Sequence, residues 1–354
     1  MGDFNIGIVL LTLAGLGTGT MMWPMKRVRS YKFEQTWFVG MAVGLLIVPW
    51  AIVFTQVKDP IAAYRSIPNL GSILLNANLC ALSWGIANIL FGLCIARIGA
   101  ALTGALLTGA GIIVGTIIPL IKKASGEFAA APDLGSKAGM ILLGGVALML
   151  VGILIVTLAG FARAKALKQG GAATDQPAAG GFTGGLILCL LAGVLSAGLG
   201  FAFVYSYEPI YKAMDAQGAS PWVASCAVWA ATLISGGLVN TLYPAYLMSK
   251  NKGFGTLVSA PVDAVFSSFV GLHFIAAMLL MGMGMVKLGA LGASVGWGLQ
   301  QACQILGTQA VGFMGGEWKG VGGKARKLMY LGIVVLITAA AVMAYSTYTY
   351  KKPL

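Results

Sequence analysis

The chain has 354 residues, 58 % apolar and 9 % charged, where a soluble domain carries about 25 % charged residues. It reads as an all-α integral membrane protein, and a single His with no P-loop, HExxH, GxSxG or metal-ligand spacing argues against an enzyme, a metal site or a cofactor. The net charge of +13 does not point to nucleic acid, because the basic residues sit in short loops between apolar bands, as residues that orient a membrane protein do.

Apolar bands of spanning length run over 4–23, 36–57, 72–96, 100–121, 138–160, 183–207, 222–247, 263–286, 288–314 and 328–348, predicting ten transmembrane helices. The first band has no Lys or Arg ahead of it and a basic cluster, Lys26 to Lys32, behind it. That is the reverse of a signal peptide, so a retained span is expected. The third and fourth bands join tightly at Arg97-Ile98-Gly99, and the eighth and ninth at Lys287-Leu288-Gly289. Residues 163–182, rich in Ala, Gly, Lys and Gln, read as a linker between two five-helix halves, 1–162 and 183–354.

The halves echo each other. Leu13-Ala14-Gly15 corresponds to Leu191-Ala192-Gly193, and Ala96-Arg97-Ile98-Gly99-Ala100 to Val286-Lys287-Leu288-Gly289-Ala290. An odd number of crossings turns the second copy upside down, so two inverted five-helix repeats are expected, as in secondary transporters. Loops on one side hold 14 Lys and Arg against 9 on the other, which places the richer side in the cytoplasm and both termini outside.

Several bands carry polar residues on one face. In the third these are Asn76, Cys80, Trp84 and Asn88, with Phe91. The fourth has a stripe of small residues, Gly104, Thr108, Gly111 and Gly115, suited to close packing and sliding. The seventh carries Trp229, Gly236, Asn240 and Tyr243, followed by Pro244. The ninth is the most polar: Trp297, Gln300, Gln301, Gln304 and Thr308 fall within an arc of roughly 100°. Amides and an indole on such faces suit an uncharged, hydroxyl-rich ligand such as a sugar, and they equally suit hydrogen bonding between helices. Most of the ten acids sit at band ends. Glu208, in Tyr205-Ser206-Tyr207-Glu208-Pro209, lies nearest the apolar interior and is one candidate for carrying a proton; His273, in the eighth band, is the other. The bland reading makes the first an interfacial acid and the second a packing residue. Five cysteines lie in apolar bands without a CxxC pair and read as small apolar side chains.

The text Trp84-Gly85-Ile86-Ala87-Asn88-Ile89, continuing through Gly92-Leu93 and Ile98-Gly99 to Ile113-Val114-Gly115-Thr116, resembles the L-rhamnose–proton symporter family within the drug/metabolite transporter superfamily. Pro49-Trp50-Ala51-Ile52, Ser196-Ala197-Gly198, Asn240 and Glu317-Trp318 extend the resemblance along the chain. It implies a ten-helix carrier in a bacterial inner membrane that takes up a 6-deoxyhexose or related monosaccharide with protons, with Trp84, Asn88 and Asn240 at family-typical positions. The family pattern carries an acid and a histidine in the ninth helix, where this chain has Ala293 and Gln300. A sugar carrier without ion coupling and an exporter of amphipathic metabolites are the other readings of the same architecture.

Overall fold

The computed structural model describes residues 2–98, 100–123, 126–169 and 182–350. Regular structure among the described residues is helical throughout, which is what a bilayer demands of a backbone that finds no water to bond. Helix α1 (Gly2–Thr20) ends in a tight turn at Pro24–Arg27. Helices α2 (Phe33–Met41) and α3 (Val48–Gln56) make one span through a looser π-helical turn at Ala42–Ile47. Pro49 lies just beyond that turn; it has no N–H to donate and pushes away the carbonyl four residues back. A short helix α4 (Pro60–Arg65) is capped by Asp59, whose carboxylate accepts the Ala62 N–H at 2.9 Å.

Long helices α5 (Leu70–Ile98), α6 (Ala100–Ile121) and α7 (Lys137–Gln169) follow. Because α7 runs to Gln169, the first seven residues of the expected linker are helical; residues 170–181 lie outside the described residues. The next span is broken twice, into α8 (Phe182–Ser196), α9 (Gly198–Val204) and α10 (Tyr207–Asp215). Helices α11 (Pro221–Thr232) and α12 (Ile234–Lys250) meet at a 57° bend. A short α13 (Phe254–Ser259) precedes α14 (Pro261–Lys287), α15 (Gly292–Met314) and α16 (Gly323–Thr349).

Eight helical segments among the described residues are long and apolar enough to cross a membrane, or nine when the bent pair is taken as one. Helix α15 occupies the ninth expected band and bears no charge, but its four glutamines leave it too polar to join them. Outward-facing residues such as Leu13, Phe54, Leu79, Leu154, Leu190 and Leu242 are exposed, which suits contact with acyl chains.

Helices from before and after residues 170–181 interlock. Helix α1 packs against α14 and α15, α5 against α8, α9 and α12, and α7 against α16. Small residues set these distances. A Cβ on Gly15 or Gly19 would strike the backbone of α15 at Gln300 or Gln304, and Gly40 and Gly271 bring α2 and α14 together in the same way. Of the small-residue stripe on α6, Gly111 abuts Ser196 and Gly193 of α8 and Gly115 abuts the Trp297 ring, whereas Gly104 has open space beside it among the described residues.

Candidate functional site

Helices α5, α12 and α14 bring three of the expected residues together. The Trp84 ring lies over Gly236, where a Cβ would come within 2.9 Å of it, and stacks on Phe274 of α14 with centroids 5.8 Å apart and planes at 9°. One turn along α5, Asn88 Nδ2 donates to Asn240 Oδ1 at 3.1 Å. The same oxygen accepts the Trp37 indole N–H at 3.0 Å, and Asn240 Nδ2 donates to the Gly236 carbonyl at 2.8 Å. Asn240 is thus a buried hub, 2 % exposed, with both lone pairs of its carbonyl in use. Asn88 is half-buried, and its carbonyl oxygen has no protein hydrogen bond among the described residues. Trp37 was not legible from sequence as a member of this group, since its own band shows no polar face and its partner lies 203 residues away.

Helix α5 also holds both broken spans. Asn78 Nδ2 donates to the Ala231 carbonyl at 3.0 Å, and Asn78 Oδ1 accepts the Ser235 N–H at 3.0 Å, so one amide takes a group on each side of the α11–α12 bend. Ser235 Oγ adds a bond to the Asn78 carbonyl at 2.5 Å. Five residues further along, Ser83 Oγ donates to the Leu195 carbonyl at 3.0 Å, next to the α8–α9 break, where Gly198 lies against Cys80 and Ser83. These bends leave backbone groups without helical partners, and in a bilayer side chains must take them. Asn76, the amide singled out on this helix by its spacing, is exposed instead.

The polar face of α15 divides between two seams. Trp297 Nε1 donates to the Gly111 carbonyl at 3.0 Å, and its ring fills the space left by Gly115 of α6 and Gly200 of α9. Gln300, 2 % exposed, donates to Thr18 Oγ1 of α1 at 3.2 Å and to Gln304 Oε1 at 3.3 Å. Thr308 Oγ1 reaches the Gly19 carbonyl at 3.3 Å. Gln301 and Gln304 are half-buried, and the Gln301 amide has no protein hydrogen bond among the described residues. No hydrogen bond or ring contact joins this group to the Trp84–Asn88–Asn240 cluster among the described residues. Ala293 is buried, and no acid or His lies on α15.

The two proton candidates lie elsewhere. Glu208 opens α10 and pairs with Lys212 at 2.6 Å. His273 Nε2 lies 3.3 Å from Thr20 Oγ1, on the wall of a groove of about 600 Å³ that Trp23, Arg27, Phe269 and Leu272 also line.

Two clusters at the end of the molecule that carries the basic loops escaped the sequence reading. Asp263, in the first turn of α14, accepts the backbone N–H groups of Arg29, Ser30 and Tyr31 at 3.1, 2.6 and 3.0 Å, fixing the basic loop behind α1. Burial, and then the Asp263 charge, push the Tyr31 phenol above its usual pKa. Glu317 meets Arg163 at 3.5 Å and Lys26 at 3.9 Å, and Arg163 lies over the Trp318 ring. Three segments far apart in sequence are gathered there.

Comparison with known proteins places the chain in a family. Residues 3–348 match the family described as L-rhamnose-proton symport protein (RhaT). The L-rhamnose-proton symporter of Klebsiella pneumoniae subsp. pneumoniae is 30 % identical over 347 residues, covering 96 % of this chain and 97 % of the relative. That of Salmonella gallinarum is likewise 30 % identical, over 96 % of this chain and 97 % of the relative, and that of Cronobacter sakazakii 28 % identical, over 96 % of each. The chain therefore belongs to the L-rhamnose-proton symport protein (RhaT) family, a family of membrane transporters and not of enzymes.

Proposed function

We propose that this protein is a secondary transporter that takes up L-rhamnose or a related 6-deoxyhexose together with a proton, across a bacterial inner membrane and by alternating access. The observation that carries the reading is the family match over nearly the whole chain. The interlocked packing of the helices before and after the 163–182 segment supports a site between two inverted five-helix repeats, 1–162 and 183–354, with α15 as a ninth and α16 as a tenth spanning helix. The excess of basic residues on one side supports termini that face the periplasm.

In this reading Trp84 and Trp297 cover the C–H faces of the sugar, and Asn88, Asn240, Gln300, Gln301 and Gln304 bond its hydroxyls. Asn88 and Gln301 have capacity to spare; Asn240 and Gln300 would exchange a protein partner for a sugar hydroxyl, a swap of one hydrogen bond for another that changes the free energy little. Glu208 and His273 are the groups to hold the coupling proton. An ion-independent sugar carrier and a metabolite exporter are not favoured, since each of the relatives compared is called an L-rhamnose-proton symporter.

The test is counterflow in proteoliposomes preloaded with L-rhamnose. Rapid exchange of labelled L-rhamnose, reduced by Asn88→Ala and Gln301→Ala, supports the reading. Wild-type exchange with both variants unimpaired would remove these residues from the site, and no exchange of any 6-deoxyhexose would remove the sugar.

A further inference from the structure

We propose that Ser225 and Trp229 of α11 contact the transported sugar, donating to its hydroxyls when α14 moves off them; the proposal rests on the reading of the chain as a sugar transporter. Ser225 is 1 % and Trp229 0 % exposed, yet Ser225 Oγ and Trp229 Nε1 have no hydrogen-bond partner among the described residues. The two residues are four apart on one helix and so share a face. A buried hydroxyl or indole N–H left unpaired carries its full desolvation penalty, and within a bilayer there is no bulk water to relieve it. Such groups are few in native structures, and each calls for an explanation.

Their surroundings suit a neutral, polyhydroxylated ligand. Phe203 of α9 stacks on Trp229 with centroids 4.5 Å apart, and Tyr207 follows Phe203 at 5.3 Å. Such a platform covers the C–H face of a pyranose while a hydroxyl and an indole N–H bond its edge. Neither donor ionises in the neutral range, which disfavours a charged substrate. The opposite wall is α14, where a Cβ on Gly282 would fall 2.7 Å from Ser225 Oγ and 2.8 Å from the Phe203 ring. Met278 and Phe274 continue that face of α14. Phe274 is the residue stacked on Trp84, about 12 Å along the axis from Gly282 at 1.5 Å per residue. The α11 pair and the Trp84–Asn88–Asn240 cluster therefore border one face of one helix. Glycine and methionine give that face a surface that can slide and reshape.

The experiment compares Trp229→Phe and Ser225→Ala with wild type, reading L-rhamnose KM in proteoliposomes and the thermal melting midpoint in detergent. Phe keeps the stack on Phe203 and Ala removes one atom, so both variants should fold, with midpoints equal to or above wild type because an unpaired group has gone. Each should raise KM about tenfold, the loss of one hydrogen bond to substrate. Unchanged KM in both variants, whether the midpoint holds, rises or falls, overturns the pair alone. A wild type that exchanges neither L-rhamnose nor L-fucose overturns the transporter reading and the pair with it.

Discussion

Asn78 and Ser235 are bonded twice over: the Ser235 N–H donates to Asn78 Oδ1 at 3.0 Å, and the Ser235 hydroxyl to the Asn78 carbonyl at 2.5 Å. With the bond from Asn78 Nδ2 to Ala231, this closes the 57° break between α11 and α12, and Asn240 lies five residues beyond Ser235. Replacing Asn78 by Ala orphans a carbonyl and an N–H in the membrane, at about 1–3 kcal/mol each. The expected result is a lower melting midpoint and weak transport. Ser235→Ala keeps the N–H bond and should do less harm. Equal, wild-type midpoints in both variants would show that the clasp does not hold the bend.

The shared acceptor Asn240 separates packing from binding. Asn240→Leu strands the Trp37 indole and one Asn88 N–H, so both stability and transport should fall, with a destabilisation of about 2–4 kcal/mol if each orphaned donor costs about 1–2. Asn88→Ala leaves the Trp37–Asn240 bond in place. Its melting midpoint should stay close to wild type while counterflow drops several-fold, a split read by measuring both on the same preparation.

Two glycines of one stripe should behave in opposite ways. Ala at Gly104 meets nothing within 4 Å among the described residues and should be silent in transport and stability. Ala at Gly115 runs into the Trp297 indole and displaces the ring from its bond to the Gly111 carbonyl. A marked loss of folded, active protein is expected from Gly115→Ala, checked by size-exclusion yield and uptake.

Two carboxylates in the same region should also differ. Asp263 accepts three backbone N–H groups in a site only 5 % exposed, so Asp263→Ala should lower the melting midpoint substantially and free the loop behind α1 to proteolysis. Glu317 pairs with Lys26 and Arg163 at an exposed position, where ion pairs contribute about 0–1 kcal/mol and are screened by salt. Glu317→Gln should change the midpoint little at high ionic strength.

Periodicity made the helices legible, together with the shared face of Trp84 and Asn88, because membrane-length bands and one-sided polar faces are local properties of sequence. It could not divide roles within the polar face of α15. Gln300 and Thr308 turn to α1 and Trp297 to α6, which follows from which helix packs alongside and not from spacing. Spacing put Asn76 on the polar face and did not single out Asn78, two residues on and about 200° around the helix. What makes Asn78 matter is a bend more than 150 residues away. Trp37 and Asp263 were missed for the same reason, as their partners lie more than 200 residues off. The bend itself had only Pro244 as an advance sign; the helix breaks at Leu233, and Pro244 sits within α12.

The central claim is coupled uptake of a sugar, and the most direct measurement is the internal pH of proteoliposomes when L-rhamnose is added outside. With no imposed gradient, sugar entry with a proton should acidify the lumen, and an inward proton gradient should drive labelled L-rhamnose above its external concentration. Glu208→Gln or His273→Gln should abolish accumulation while leaving counterflow. Sugar entry that equilibrates without any change in internal pH, and that an imposed gradient cannot raise, would contradict the account.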